Sequence, residues 1–358
     1  MPYLYHLIAF LVSAFVVLGT TPIVKKFGLK SGLFDVPDKR KVHQRPMVRL
    51  GGVSIFLGTL AALLVVWWSG GFVDADGAIL PRSEEYQIWG VTLGGLAFFL
   101  IGLADDLFGL SAFTRLLVEV IVASLAWKAG VQIAFLSMPL IGMVNLPPWI
   151  SLLITVIWLV GMVNATNWID GLDGLAAGVS AIAAVVMLIV CLFMGQPAAA
   201  LIAAALAGGL IGFLRYNFNP AQIFMGDGGA YFVGFTLAGV GVIGLVKTTA
   251  VTSVVLPYLI LAVPILDMSA VIVDRLRRGK SPFKPDKRHL HHRLLEIGLS
   301  HRMTVIFIYS LTIWAGSLAL AFAGIPFGKI YVLGATLLLI YPAVKVWQQV
   351  ARMKKEEG

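Results

Sequence analysis

Apolar runs alternate with short polar breaks along almost the whole chain. Read at the length that spans a hydrocarbon core of ~30 Å, the pattern predicts about eleven membrane-crossing helices. The expected spans are 4–24, 50–68, 87–104, 112–129, 148–166, 174–194, 198–214, 229–246, 252–273, 303–323 and 327–348. The expected fold class is therefore an all-α polytopic membrane protein, with residues 1–358 in one integral membrane domain. The first run, Tyr3 to Val24, has neither a basic leader nor a small-residue cleavage site, and is expected to be a retained helix. The longest polar stretches are 25–48, 69–86 and 274–302. Stretch 131–147 is semi-polar, holds Pro139, Pro147 and Pro148, and reads as an external loop, a hairpin or a re-entrant piece.

Composition agrees with the pattern. Apolar residues make up 59% of the 358 and charged residues 13%, and the mean hydropathy is +0.92. Soluble domains hold about half apolar residues. The single cysteine, Cys191, sits within an apolar run, which excludes a disulfide framework and a thiolate metal site.

Charge adds an orientation. Eleven spans would divide the loops into two alternating sets, and all but Arg82, Lys128, Lys247 and Lys329 of the 27 Lys and Arg residues fall in one set. That bias predicts the basic set in the cytoplasm, the N-terminus outside and the C-terminus inside. All the candidate polar constellations then converge on the cytosolic face, the arrangement of an active site at a membrane surface. A cation-coupled transporter, the alternative from another class, needs charges near the midplane on broken helices.

The most informative stretch runs from Asn164 to Gly178, where Asn164, Asn167, Asp170 and Asp173 recur at every third position. At 3.6 residues per turn one straight helix would not aim all four the same way. Gly171 and Gly174 instead predict a helix end, a tight turn and a new helix start, with Asp173 as its cap. Asp105 and Asp106 form a carboxylate pair at another helix end, with Arg115 following. A helix C-terminus disfavours anions, so capping does not explain the pair, whereas magnesium binding or base catalysis does. Asp227 lies among Gly226, Gly228 and Gly229, with Phe224 placed to stack on a base. Stretch 35–52 is basic, carries Arg49 before a glycine pair, and offers Lys41, His43 and Arg45 as phosphate-binding candidates. His289, His291 and His292 lie among arginines and lysines and fit anion or sugar binding better than zinc. Asp267, inside an apolar run, reads either as an intramembrane partner or as part of the site's rim, and Asp274 beside Arg275 as a surface pair. Nucleic acid is not an expected partner, because the basic residues are split between membrane loops. There is no Walker loop and no serine nucleophile elbow. The chemistry expected is a diphosphate-containing cytosolic substrate meeting a lipid acceptor.

With these motifs in view the chain resembles the polyprenyl-phosphate N-acetylhexosamine-1-phosphate transferase family, a glycosyltransferase 4 type. It is most similar to the bacterial undecaprenyl-phosphate N-acetylglucosaminyl 1-phosphate transferases. The carrying residues are Asn164-x-x-Asn-x-x-Asp-Gly-x-Asp-Gly-Leu175, Phe224-Met-Gly-Asp227, Asp105-Asp106, Pro37-Asp-x-Arg-Lys-x-His43 and His289-x-His-His292. The resemblance implies catalytic roles for Asp105, Asp106 and Asp170. It implies Mg²⁺, with Mn²⁺ as a substitute, on Asp227 and Asn167. Phe224, Asp173 and Asn164 would contact the nucleotide. Lys41, His43, Arg45, Arg115, His289, His291 and His292 would contact phosphate or sugar. The family's acidic motif often carries a third acidic or amide residue where this chain has Gly109, so no role is assigned there.

The implied activity is transfer of N-acetylglucosamine 1-phosphate from UDP-GlcNAc to undecaprenyl phosphate, releasing UMP. Such a step opens synthesis of cell-envelope polysaccharides such as lipopolysaccharide O-antigen or teichoic acid linkage units. The expected location is the bacterial cytoplasmic membrane, with one catalytic domain and membrane lipid around it. Homodimers occur among such enzymes and are one expected assembly. The alternative within the family is a UDP-MurNAc-pentapeptide or other UDP-hexosamine donor. Direct attack by the lipid phosphate and a two-step path through a covalent aspartyl intermediate both remain open.

Overall fold

The apolar runs form helices because a lipid-facing backbone must satisfy its own hydrogen bonds. A computed structural model describes residues 3–35, 46–74, 76–138, 142–246, 255–280 and 288–356. In chain order the helices are α1 (Tyr3–Lys30), α2 (Gly51–Trp68), α3 (Arg82–Phe108), α4 (Ala112–Lys128), α5 (Pro148–Ile169), α6 (Leu175–Phe193), α7 (Pro197–Asn217) and α8 (Gly226–Val240). Then come α9 (Val255–Ile260), α10 (Ala262–Arg277), α11 (Leu290–Glu296), α12 (His301–Phe322) and α13 (Gly328–Glu356). A π-helical stretch, Gly241–Leu245, extends α8. Several threonines within the helices are satisfied locally: Thr59, Thr92, Thr166 and Thr236 each donate to the carbonyl four residues earlier.

Among the described residues, nine helices are long and apolar enough to cross a membrane: α1, α2, α3, α5, α6, α7, α8 with its extension, α12 and α13. The chain is thus an all-α polytopic membrane protein. Two expected spans look different. Residues 112–129 form the 17-residue α4, which carries Arg115 and Glu119. Residues 252–273 are divided at Leu261 into α9 and α10, and their first three lie outside the described residues. Pro264, in the first turn of α10, has no N–H to offer the carbonyl four residues back, which removes one of the hydrogen bonds that would run across the division. Stretch 131–147 contains an antiparallel hairpin of β1 (Phe135–Met138) and β2 (Gly142–Asn145).

Helix α8 is the axis of the bundle, with its spanning window wholly buried. It packs against α3 and α5, and also touches α2, α6 and α7. Phe98 stacks on Phe235 at 4.8 Å, and Phe56 meets Phe232 edge-on at 5.4 Å. At the opposite extreme, only 11% of the α13 window is buried. The centre of the bundle therefore runs into Asp227, at the first turn of α8.

Candidate active site

Four chain segments reach the first turn of α8. Segment 46–52 lies alongside residues 224–225: Phe224 donates to the Val48 carbonyl at 2.9 Å, Gly51 to that of Phe224 at 2.9 Å, and Gly52 to that of Met225 at 2.8 Å. Gly226 makes the approach possible. Its φ is +76°, and a Cβ there would lie 2.0 Å from the Arg49 carbonyl oxygen and 2.7 Å from Asp106 Oδ2. The pairing carries Arg49 over the acidic cluster, where its Nη2 lies 3.2 Å from Asp227 Oδ1 and 3.4 Å from Asp106 Oδ1. The end of α3 supplies Asp105 and Asp106. Asp106 Oδ2 accepts from the Gly228 N–H at 3.1 Å. Asp105 accepts from the Leu110 N–H at 2.7 Å and pairs with Arg115 of α4. From α5, Asn167 Nδ2 donates to Asp227 Oδ1 at 2.9 Å. A cavity of about 260 Å³ opens beside this cluster, lined in part by Gly32, Phe34, Arg49 and Asp106.

The turn between α5 and α6 places the remaining acids. Asp170 follows the last residue of α5. Burial pushes its pKa up to about 7, and the carboxylates of Asp227, Asp106 and Asp173 add to this against the pull of Arg49. Asp173 does not cap α6, as the sequence suggested. Gly174 takes the N-cap place at φ 77° with no side-chain cap, which leaves the Asp173 carboxylate free to turn away. It accepts instead from Asn219 Nδ2 and the Ala221 N–H, both at 3.0 Å. Asn217 and Tyr309 hold the same turn: Asn217 Oδ1 accepts from the Gly174 N–H at 3.1 Å, and the Tyr309 hydroxyl donates to the Gly174 carbonyl.

The histidines meet this turn from the other side. His291 rests on Gly171, where a Cβ would stand 2.3 Å from its Nε2. Burial first, then the neighbouring His292, pushes the His291 pKa down to about 3, so its ring is neutral at ordinary pH. The rings of His291 and His292 are 4.3 Å apart.

Four carboxylates, Asp105, Asp106, Asp170 and Asp227, thus face two guanidinium groups, Arg49 and Arg115. Such an excess of oxygen donors suits a hard divalent cation. Asp106 Oδ1 is buried and makes no hydrogen bond beyond its 3.4 Å ion pair with Arg49, which leaves acceptor capacity that a metal cation could use. No three His, Cys, Asp or Glu side chains among the described residues form a ready metal cage. Mg²⁺ needs none, since it takes one or two protein carboxylates with substrate phosphates and water.

Comparison with known proteins bears on this cluster. The profile of glycosyl transferase family 4 matches residues 88–245, from α3 through α8. A Bacillus subtilis (strain 168) protein named "Probable undecaprenyl-phosphate N-acetylglucosaminyl 1-phosphate transferase" is 37% identical over 302 residues, covering 84% of this chain and 80% of the relative. The chain belongs to glycosyl transferase family 4. A "Decaprenyl-phosphate N-acetylglucosaminephosphotransferase" of Mycobacterium leprae (strain TN) is 36% identical over 329 residues, 84% of this chain and 79% of its own. An "Undecaprenyl-phosphate alpha-N-acetylglucosaminyl 1-phosphate transferase" of Yersinia pestis is 30% identical over 297 residues, 80% of this chain and 76% of its own.

Within this member of glycosyl transferase family 4, the motif residues are not all brought to one point. Asp105, Asp106, Asn167, Asp170, Asp227 and Arg115 gather at the first turn of α8. Phe224 is half-buried in the segment paired with 48–51. Asn164 faces away, donating to Glu119 Oε2 at 2.7 Å. Asp173 ties the turn to residues 219–221. Lys41, His43 and Arg45, with the Pro37 motif, lie outside the described residues. Asp274 pairs with Arg278 at 3.1 Å and Arg288 at 2.8 Å, not with its neighbour Arg275. Sequence reasoning named Arg49 but gave it no role in the site, although the glycine pair that lets it approach was in view. It missed Glu119, an acid in an otherwise apolar run, now 1% exposed in α4 beside Tyr231 and Arg115. The isolated charge in that run was the available signal.

Proposed function

We propose that the chain transfers N-acetylglucosamine 1-phosphate from UDP-GlcNAc to a polyprenyl phosphate such as undecaprenyl phosphate, releasing UMP. The observation that carries this reading is Asp227: it stands at the first turn of the central helix, bridged to Asn167 and Arg49, with Asp106 behind it. The relatives' names give the substrates. Residues 1–358 act as one catalytic domain in the bacterial cytoplasmic membrane. The chain crosses it eleven times if α4 and the α9–α10 pair are included, with the N-terminus outside and the site on the cytosolic face. The acidic groups sit at helix ends, as an enzyme at the membrane surface requires and a midplane transporter does not.

In this reading Asp227 and Asn167 would hold Mg²⁺, with Asp106 close by. The metal would supply Lewis-acid neutralisation of the donor diphosphate. Arg49 and Arg115 bind phosphate oxygens, and Arg115 must exchange Asp105 for the acceptor phosphate as it does so. Asp105, once released, takes the proton of the acceptor phosphate. An oxygen of that phosphate then bonds to the sugar-side phosphorus of the donor. The bond from that phosphorus to the bridging oxygen breaks, and UMP leaves with the electron pair. Phe224 and Asp173 contact the uridine, and the α11 histidines contact the sugar phosphate.

The test is UMP release by the purified protein from UDP-GlcNAc, with and without undecaprenyl phosphate and Mg²⁺, with UDP-MurNAc-pentapeptide run in parallel. Release that needs both lipid and Mg²⁺ is expected with UDP-GlcNAc. Release with the pentapeptide donor alone would change the substrate, and none with any UDP-sugar would remove the reading. Asp227→Ala is expected to abolish the Mg²⁺-dependent turnover; a variant as active as the parent would move the metal elsewhere.

A further inference from the structure

Asp267 takes no part in the chemistry above, yet it is an acid only 8% exposed in α10. Its carboxylate makes two short contacts with consecutive residues of another segment. Oδ2 lies 2.8 Å from His289 Nδ1, and Oδ1 accepts from the Leu290 N–H at 2.7 Å. The second contact satisfies an open donor at the start of α11. The first fixes which ring nitrogen faces the acid: an ionised carboxylate only accepts, so Nδ1 carries a proton and donates it to Asp267.

His289 is in turn the root of a column of rings. It meets Trp168 edge-on at 5.7 Å and lies parallel to His291 at 5.7 Å, and His291 meets His292 at 4.3 Å. Arg275, also from α10, covers Trp168 at 5.1 Å. Trp168 adjoins Asn167, and His291 rests on Gly171. Helix α10 thus grips the column at Trp168 and at His289, and the column reaches the turn that carries Asp170.

We propose that Asp267 is a positioning residue for the donor. It sets the orientation of the His289 ring and, through the column, holds His291 and His292 on the 170–174 turn. It acts through His289 and touches no substrate. The inference rests on the transferase reading, in which the histidines meet the sugar phosphate of the donor.

The test compares the parent, Asp267→Asn, His289→Ala and the double variant in the UMP-release assay, varying UDP-GlcNAc and the lipid acceptor separately. Asp267→Asn is expected to raise the donor KM by about tenfold, the scale of one charge-assisted hydrogen bond, with kcat and the acceptor KM nearly unchanged. The double variant is expected to match His289→Ala, because the two side chains work as one unit. Independent, multiplying effects would overturn the proposal and leave only a structural role at the start of α11. Equal losses in donor KM, acceptor KM and kcat would do the same. If Asp267→Asn fails to fold, His289→Ala alone decides: an unchanged donor KM there removes the proposal. A parent that releases no UMP would instead remove the transferase reading itself, so the two failures are distinct.

Discussion

Asp170 shows how the environment sets the charge of a single residue. Its carboxyl is pushed from an ordinary 3.8 up to about 7 because it is desolvated beside other acids. A raised carboxylate pKa means that stability drawn from the protonated group is complete below 3.8 and is lost as pH rises through about 7. In Mg²⁺-free detergent solution, Asp170→Asn is therefore expected to gain thermal stability relative to the parent as pH rises from 3.8 to about 7, and to keep a constant lead above that. Added Mg²⁺ is expected to narrow the gap by favouring the ionised acids around it. A pH-independent difference in unfolding temperature would separate Asp170 from the acidic cluster. That the residues of this motif matter was legible, because polar groups near a membrane are costly and seldom idle. Their directions were not. Asn164 and Asn167 share α5, and a three-residue step turns the side chain by about 60° and advances it ~4.5 Å. One therefore meets Asp227 and the other meets Glu119.

At the scale of elements, the site depends on a close approach between segment 46–52 and the start of α8. Gly226→Ala is the sharpest probe of it. A side chain at φ 76° is strained, and its Cβ would collide with the Arg49 carbonyl. The strain alone costs about 1–3 kcal/mol. The variant is expected to unfold at lower temperature and to lose most UMP release, because Arg49 is displaced from Asp227 and Asp106. Thermal unfolding and turnover measured on one sample check both, and a fully active variant would show that the pairing is dispensable. Hydrophobic length and helix-breaking residues made most of the helices legible, along with the turn at Gly171–Gly174 and the hairpin within 131–147. The division at Leu261 was not legible, since Pro257 and Pro264 sit in a run as apolar as its neighbours. The pairing of 48–52 with 224–225 was not legible either, because backbone hydrogen bonds between distant segments leave little trace in side-chain type.

For the whole molecule, the charge asymmetry sets the expected orientation. A fluorescent protein that matures only in the cytoplasm, fused after residue 358, is expected to fluoresce, and a periplasmic reporter at the same place to stay silent. The reverse result would put the acidic cluster on the outer face and conflict with a cytosolic nucleotide donor. By itself the sequence determined the class, a helical membrane protein, because hydrophobic length and lysine and arginine distribution act locally on each segment. It also determined the candidate chemistry, since carboxylates and amides in glycine-rich breaks have few other uses at a membrane boundary. Only the tertiary structure decided which of them converge. Arg49 reaches Asp227 across 178 residues, Asn167 across 60, and Asp267 finds His289 22 residues on. Such meetings depend on how α3 and α5 are rotated about the buried α8, and α10 against α5, and that rotation is set by packing among apolar side chains, whose sequence pattern allows many registers.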